Sequence, residues 1–286
     1  MRGGRIFGGR PTGTSGDYAR SGVFNAHDVF GIEGQSYECE LLIIGPGGGG
    51  AGGYGGGGGG AGEVKVISSH IFQRGYSYAI VVGTGGAAGA AGAAYAGGNG
   101  SGPTTFTGPW GTESAAAGFG GKVSQTGGGN SGSGYTGGTP DATTYGGGGA
   151  GSAGNGTNAV INNGGQGGTG TLLYGWWDGA YRAWATGGGG GCYAYTPVAP
   201  PGNYVGWYGG DYDTIPSNYI APGLSRGYGN GGGGTGQIGY AASAGDAGGV
   251  FIRHRGSVVR GSGATATNTA DGWVYYRFDA SGTFVG

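Results

Sequence analysis

Alternation of apolar and polar positions is confined to a few short stretches of this chain, and each predicts a strand. Residues 37–44, YECELLII, begin alternating and end fully apolar, and Pro46 closes the stretch. Residues 63–68, EVKVIS, set Val64 and Val66 against Glu63 and Lys65. Residues 76–83, YSYAIVVG, come next, and Arg74-Gly75 at the turn between the two predicts a hairpin. Near the other end, VFIRHR (250–255), SVVR (257–260) and WVYYRFDASGTFV (273–285) are rich in β-branched and aromatic residues and predict strands again.

Between these strands the pattern gives way to glycine. In residues 45–62 only Pro46, Ala51, Tyr54 and Ala61 interrupt it, and further runs occupy 83–102, 118–138, 146–170, 187–191, 229–236 and 242–249. A glycine costs roughly 0.5–1 kcal/mol relative to alanine inside a helix or strand, so neither is expected in the runs. Glycine makes up 86 of 286 residues, against a usual share of about 7%. Collagen is excluded, because it needs a strict three-residue period and abundant proline, and proline numbers 10. Disorder driven by charge is excluded by a net charge of −1 and an aromatic content of 12%.

Buried amides in a glycine run must find partners on neighbouring backbone, since there are no side chains to supply them. The extended left-handed polyproline-II conformation, with three residues per turn and no internal hydrogen bonds, points its amides outward and suits lateral bonding between runs. Taken as one straight rod, residues 46–62 would span about 53 Å. The expected fold is therefore mostly irregular and all-β: a bundle or sandwich of polyglycine-II helices, bracketed by a small antiparallel β-sheet. Residues 1–45 would hold an attachment segment and the first strand, with 19–30 as its docking part. Residues 46–170 would form the glycine-rich region, 171–228 an aromatic loop insert, and 229–286 the last glycine runs and C-terminal strands.

The insert differs in kind from its surroundings. It holds four of the six tryptophans and nine of the twenty tyrosines. Rigid aromatics among turn-forming residues give large contact area at low side-chain entropy cost, the composition of binding loops. Trp176, Trp177, Tyr181 and Trp184, with Asp178 and Arg182 among them, form one cluster. These side chains suit either a partner surface or a local mini-core. Tyr204, Trp207, Tyr208, Asp211, Tyr212 and Asp213 form a second, in which Gly206, Gly209 and Gly210 favour exposure; Tyr219 follows.

Catalytic and cofactor chemistry find little support. Asp211 and Asp213 lack the glycine and glutamate of a calcium loop, and His27, His70 and His254 stand far apart, so no metal site is expected. GTGGAAG (83–89) mimics a dinucleotide fingerprint but lacks a following helix. No carboxylate pair or Ser/His/Asp grouping stands out, which predicts a protein that is not an enzyme and binds no cofactor. Near-zero net charge gives no footprint for nucleic acid, and the apolar runs are too short to insert in a membrane. Cys39 and Cys192 are read as two free thiols, their pairing left open by spacing.

The order ELLIIGPGGGGAGGYGGGGGGAGEVKV, YSYAIVVGTGGAAGAAG, NGSGPTTFTG and AAAGFGGKVS resembles the glycine-rich domain of bacteriophage tail-fibre tips and phage minor tail proteins, with the closing phrase WVYYRFDASGTFVG also similar. The likeness covers residues 37–170 well and 250–286 loosely. It implies a virion protein of the tail fibre or tail tip whose loops contact a bacterial surface receptor, a glycan or an outer-membrane protein. It also implies other tail proteins as partners and a homo-trimer as one form of assembly. The receptor-contact expectation falls on Trp176, Trp177, Tyr181, Trp184, Tyr204, Trp207, Tyr208, Asp211, Tyr212 and Tyr219. Two rival expectations are a structural virion component, head decoration or spike, without receptor binding, and an ice-binding protein.

Overall fold

A computed structural model describes residues 36–53, 55–91, 94–123, 127–141, 145–160, 164–177, 181–191, 227–236 and 242–286. Among them there is no helix, and the elements are antiparallel strands: β1 (Ser36–Ile44), β2 (Gly52–Gly53), β3 (Val64–Gln73), β4 (Ser77–Val81), β5 (Ala94–Tyr95), β6 (Thr104–Gly108), β7 (Gly111–Ala115), β8 (Thr171–Tyr174), β9 (Tyr181–Trp184), β10 (Gly249–Arg255), β11 (Ala266–Ala270), β12 (Trp273–Phe278) and β13 (Gly282–Val285). The bracketing strands form two sheets instead of one, in the orders β11-β12-β10-β1-β3 and β13-β4-β6-β7; β2 pairs with β5 and β8 with β9.

The two larger sheets enclose an apolar core. Cys39, Leu41 and Ile43 of β1, Phe72 of β3, and Val250 and Ile252 of β10 meet Tyr78 and Ile80 of β4, Phe106 of β6 and Phe284 of β13. Leu42 and Ile44 point the other way, into a second cluster with Ala61, Trp176, Trp184, Ala185 and Phe251. Burial on both faces explains why β1 ends as a continuous apolar run instead of alternating. The Cys39 thiol is free and buried, and burial pushes its pKa up; Cys192 lies outside the described residues. Where β3 and β7 approach, Lys65 pairs with Glu113 at 2.8 Å, and His70 stacks on Trp110 at 4.1 Å beside that carboxylate.

β3 and β4 do not form the expected hairpin: β3 pairs with β1, and β4 lies between β13 and β6. The turn at Gly75 (φ +75°) carries the chain from one sheet to the other, and Gly286 takes the bonds from Gly75 and to Tyr76. Residues 257–260 form no strand; they connect β10 to β11, with Val258 and Val259 exposed.

The glycine runs extend from the open end of this sandwich. Residues 46–62 are not one rod but a fold-back: Gly48 donates to Gly60 and Ala51 to Gly57, with Gly53 and Gly55 at positive φ in the bend. Along the returning leg the donors repeat every three residues. Gly56, Gly59 and Gly62 donate to Thr235, Gly232 and Gly229; Gly57, Gly60 and Glu63 donate to Lys122, Phe119 and Ala116; Gly58 and Ala61 donate to Gly147 and Ala150. Its carbonyls are used as fully, Gly191 and Gly188 donating to Gly56 and Gly59, and Gly129 and Gly132 to Gly58 and Ala61. Only glycine fits so close an approach: a Cβ on Gly48 would lie 2.2 Å from the Phe119 carbonyl oxygen, and one on Gly59 2.1 Å from that of Gly48. At the exterior, asparagine side chains complete the bonding. Asn155 and Asn158, three residues apart, accept from the amides of Thr136 and Thr139, also three apart.

Candidate functional site

The β8–β9 hairpin sits on the outer face of the five-stranded sheet, and arginines of β10 and β12 hold it there. Glu40 and Arg253 are directly opposed across β1 and β10. The guanidinium donates to Glu40 Oε2 from Nε at 2.8 Å and from Nη2 at 2.5 Å, while Nη1 donates to the Gly175 carbonyl at 2.6 Å. The same carbonyl accepts the Tyr275 hydroxyl at 2.9 Å. Gly175 turns at φ +68°, a conformation that favours glycine, and so aims this oxygen at the sheet. Asn268 Nδ2 donates to the Trp177 carbonyl at 2.5 Å.

Rings and guanidinium groups interleave above these bonds. Arg253 lies 4.1 Å from the Trp176 ring centroid and 4.4 Å from that of Trp273; Arg255 lies 4.2 Å from Trp273, and Arg277 4.9 Å from Trp177. Such cation–π contacts contribute about 0.5–1 kcal/mol where the cation is exposed, as Arg255 is, and about 2 kcal/mol where it is desolvated. Arg277 Nε also donates to Asp279 at 3.1 Å, and Asp279 accepts the Tyr228 hydroxyl. Burial, then the neighbouring carboxylate, raises the pKa of Tyr228.

Four of the predicted contact residues have positions here. Trp176 and Trp184 are each 3% exposed and belong to the core cluster beneath the hairpin, the packing alternative of the sequence reading. Neither presents a ring to solvent in this conformation. Trp177 is half-buried against Phe251, Tyr275 and Arg277, and Tyr181 opens β9 opposite Tyr174. Leu172 and Tyr174 of β8 are exposed and were missed by the sequence reading. Tyr204, Trp207, Tyr208, Asp211, Tyr212 and Tyr219 lie outside the described residues, as do Asp178 and the 19–30 segment.

The chain on either side of residues 192–226 is well anchored. On one side, Gly190 and Gly191 donate to Gly165 and Gly56 at 2.8 Å, at the end of the glycine bundle away from the sandwich. On the other, Tyr228 stacks on Trp184 at 6.0 Å and meets Phe251 edge-on at 5.1 Å. Asn230 then locks the two sides together: its Oδ1 accepts from the Thr186 amide and hydroxyl, and its Nδ2 donates to the Gly227 carbonyl and to Asp246. The sequence signals of this clamp are the arginines two apart in β10 and the Trp273, Tyr275, Arg277 series in β12, which strand alternation puts on one face.

Among the described residues, no group of three or more His, Cys, Asp or Glu is placed to hold a metal ion. Comparison with known families adds one result: the glycine-rich domain family matches residues 19–255. The chain belongs to that family. No curated protein matches the chain.

Proposed function

We propose that this is a non-enzymatic bacteriophage virion protein, a tail-fibre tip or minor tail protein, that binds a bacterial surface receptor through the aromatic loops of residues 171–228. In this reading the glycine runs are polyglycine-II helices. The three-residue repeat of hydrogen-bond direction supports that assignment, because it is the period of the polyproline-II turn. Negative φ within the legs supports it as well, since positive values in the long runs fall at bends such as Gly53 and Gly55.

The observation that carries the functional reading is the double anchoring of the aromatic segment. Gly191 and Tyr228, on either side of residues 192–226, are fixed to the glycine bundle and the sandwich. A binding loop whose ends are fixed loses less entropy on engaging a partner. Trp207, Tyr208, Asp211, Tyr212, Tyr204 and Tyr219 supply stacking and hydrogen-bonding groups for a glycan or an outer-membrane protein loop. Assembly with other tail proteins, or as a homo-trimer, places such a protein in the virion.

The test is competition. Purified protein added to host bacteria should block phage adsorption, and a Trp207→Ala, Tyr208→Ala double variant with unchanged unfolding behaviour should block it at least tenfold less well. Normal blocking by a well-folded double variant would refute the assignment of this surface; no blocking by the unaltered protein would refute receptor binding.

A further inference from the structure

The connection between β10 and β11 carries Val258 and Val259, 66% and 53% exposed, with Arg255 before them and Arg260 after. The two residues that follow the valines are tied to the sandwich by a side chain. The Tyr276 hydroxyl oxygen accepts the amides of Arg260 at 2.8 Å and Gly261 at 3.1 Å. Both of its lone pairs are then occupied, so its own proton goes to His254 Nε2, 3.1 Å away. His254 therefore carries its proton on Nδ1 and donates it to the Arg255 carbonyl at 2.9 Å. This bonding pattern is complete for a neutral imidazole and for no other state.

His254 is 1% exposed. From β1, Tyr37 meets its ring edge-on at 5.4 Å, and Cys39 lies in the same core. From β12 comes Tyr276, and from the connection itself Arg260, whose guanidinium lies 5.7 Å from the Tyr37 ring. The charged neighbour is thus a cation. Burial first, and Arg260 with it, hold the imidazole pKa below its ordinary value, against the opposing bond to the Arg255 carbonyl.

We propose that His254 and Tyr276 form an acid-released latch on the 257–261 segment. Protonation gives His254 an N–H on both nitrogens, and Nε2 must then donate to a hydroxyl oxygen with no lone pair left. One of the two loop amides loses its acceptor, and an imidazolium is set against Arg260. The segment bearing Val258 and Val259 comes free of the sandwich, while Ser262 remains bonded to Val285.

NMR on the full chain tests this between pH 7.5 and the onset of acid unfolding. The His254 ring signals report its protonation, and amide exchange gives protection factors for Arg260, Gly261 and Ser262. The expected result is a fall of about tenfold or more for Arg260 or Gly261, following the His254 titration, with Ser262 unchanged. His254→Gln should abolish the pH dependence, and Tyr276→Phe should leave both amides unprotected throughout. Constant protection across the His254 titration would overturn the proposal, as would an imidazole that stays neutral until the protein unfolds. The unaltered protein decides the question alone if either variant does not fold.

Discussion

Glu40 and Arg253 are 213 residues apart in the chain and form an ion pair within the outer face of one sheet. The carboxylate fixes a guanidinium that lies over two tryptophans and holds the Gly175 carbonyl. Glu40→Gln should cost about 1–3 kcal/mol, because it leaves a partly buried charge without its counter-ion. Arg253→Ala removes the ring contacts too and should cost more than Glu40→Gln. Urea unfolding of the two variants checks both the loss and the order.

A glycine of the bundle and a glycine at an exposed strand end should respond oppositely to the same substitution. Gly59→Ala forces a methyl group to within 2.1 Å of a backbone oxygen, whereas nothing lies within 4 Å of a Cβ at Gly282. The first should destabilise by about 3 kcal/mol or more; the second should change stability by no more than about 1 kcal/mol, and tend to raise it. Denaturant midpoints measure the difference.

Stability should fall on the acid side of neutrality. Burial keeps the proton affinity of His254 lower in the folded protein than its ordinary value of 6.5. As the pH drops below that value the unfolded chain binds the proton first, so stability declines until the folded imidazole is protonated as well. At more acidic pH, Glu113 adds to the loss: the Lys65 bond holds its carboxyl below the usual 4.5, and the stabilisation present above that value disappears as it protonates. Unfolding curves at pH 7.5, 6 and 5 should show the first decline, and His254→Gln should flatten it.

Trp184→Ala should cost about 3–5 kcal/mol, since the ring is buried between Tyr228 and Phe251 beneath the hairpin. Thermal unfolding of this variant against the Trp207→Ala, Tyr208→Ala variant separates a packing residue from residues proposed for contact.

How far the fold is legible in the sequence depends on where each strand finds its partners. β1 and β10 are dense in Leu, Ile, Val and Phe because two apolar clusters claim their opposite faces; β12 gives Val274, Tyr276 and Phe278 to the first cluster and Trp273, Tyr275 and Arg277 to the hairpin clamp, and the sequence pattern locates all three. β7 and β11, GTESA and ATNTA, are edge strands of small polar residues with no alternation to read. The hairpin expected at Arg74-Gly75 fails because β13, from the far end of the chain, takes the place beside β4 that β3 would have filled. The glycine run 46–62 announces close backbone packing but not its fold-back, since Gly53 and Gly55 look like every other glycine in the run. At the candidate site, the density of tryptophan is plain in the sequence. Which rings turn inward is not, because Arg253 and Phe251, supplied from the far end of the chain, decide it.

Amide hydrogen exchange across residues 45–62 tests most directly whether glycine legs brace one another through their backbones. The bonds of Gly48, Gly57, Gly59 and Gly60 predict protection of about a thousandfold or more at neutral pH. Exchange of these four amides at random-coil rates would contradict it.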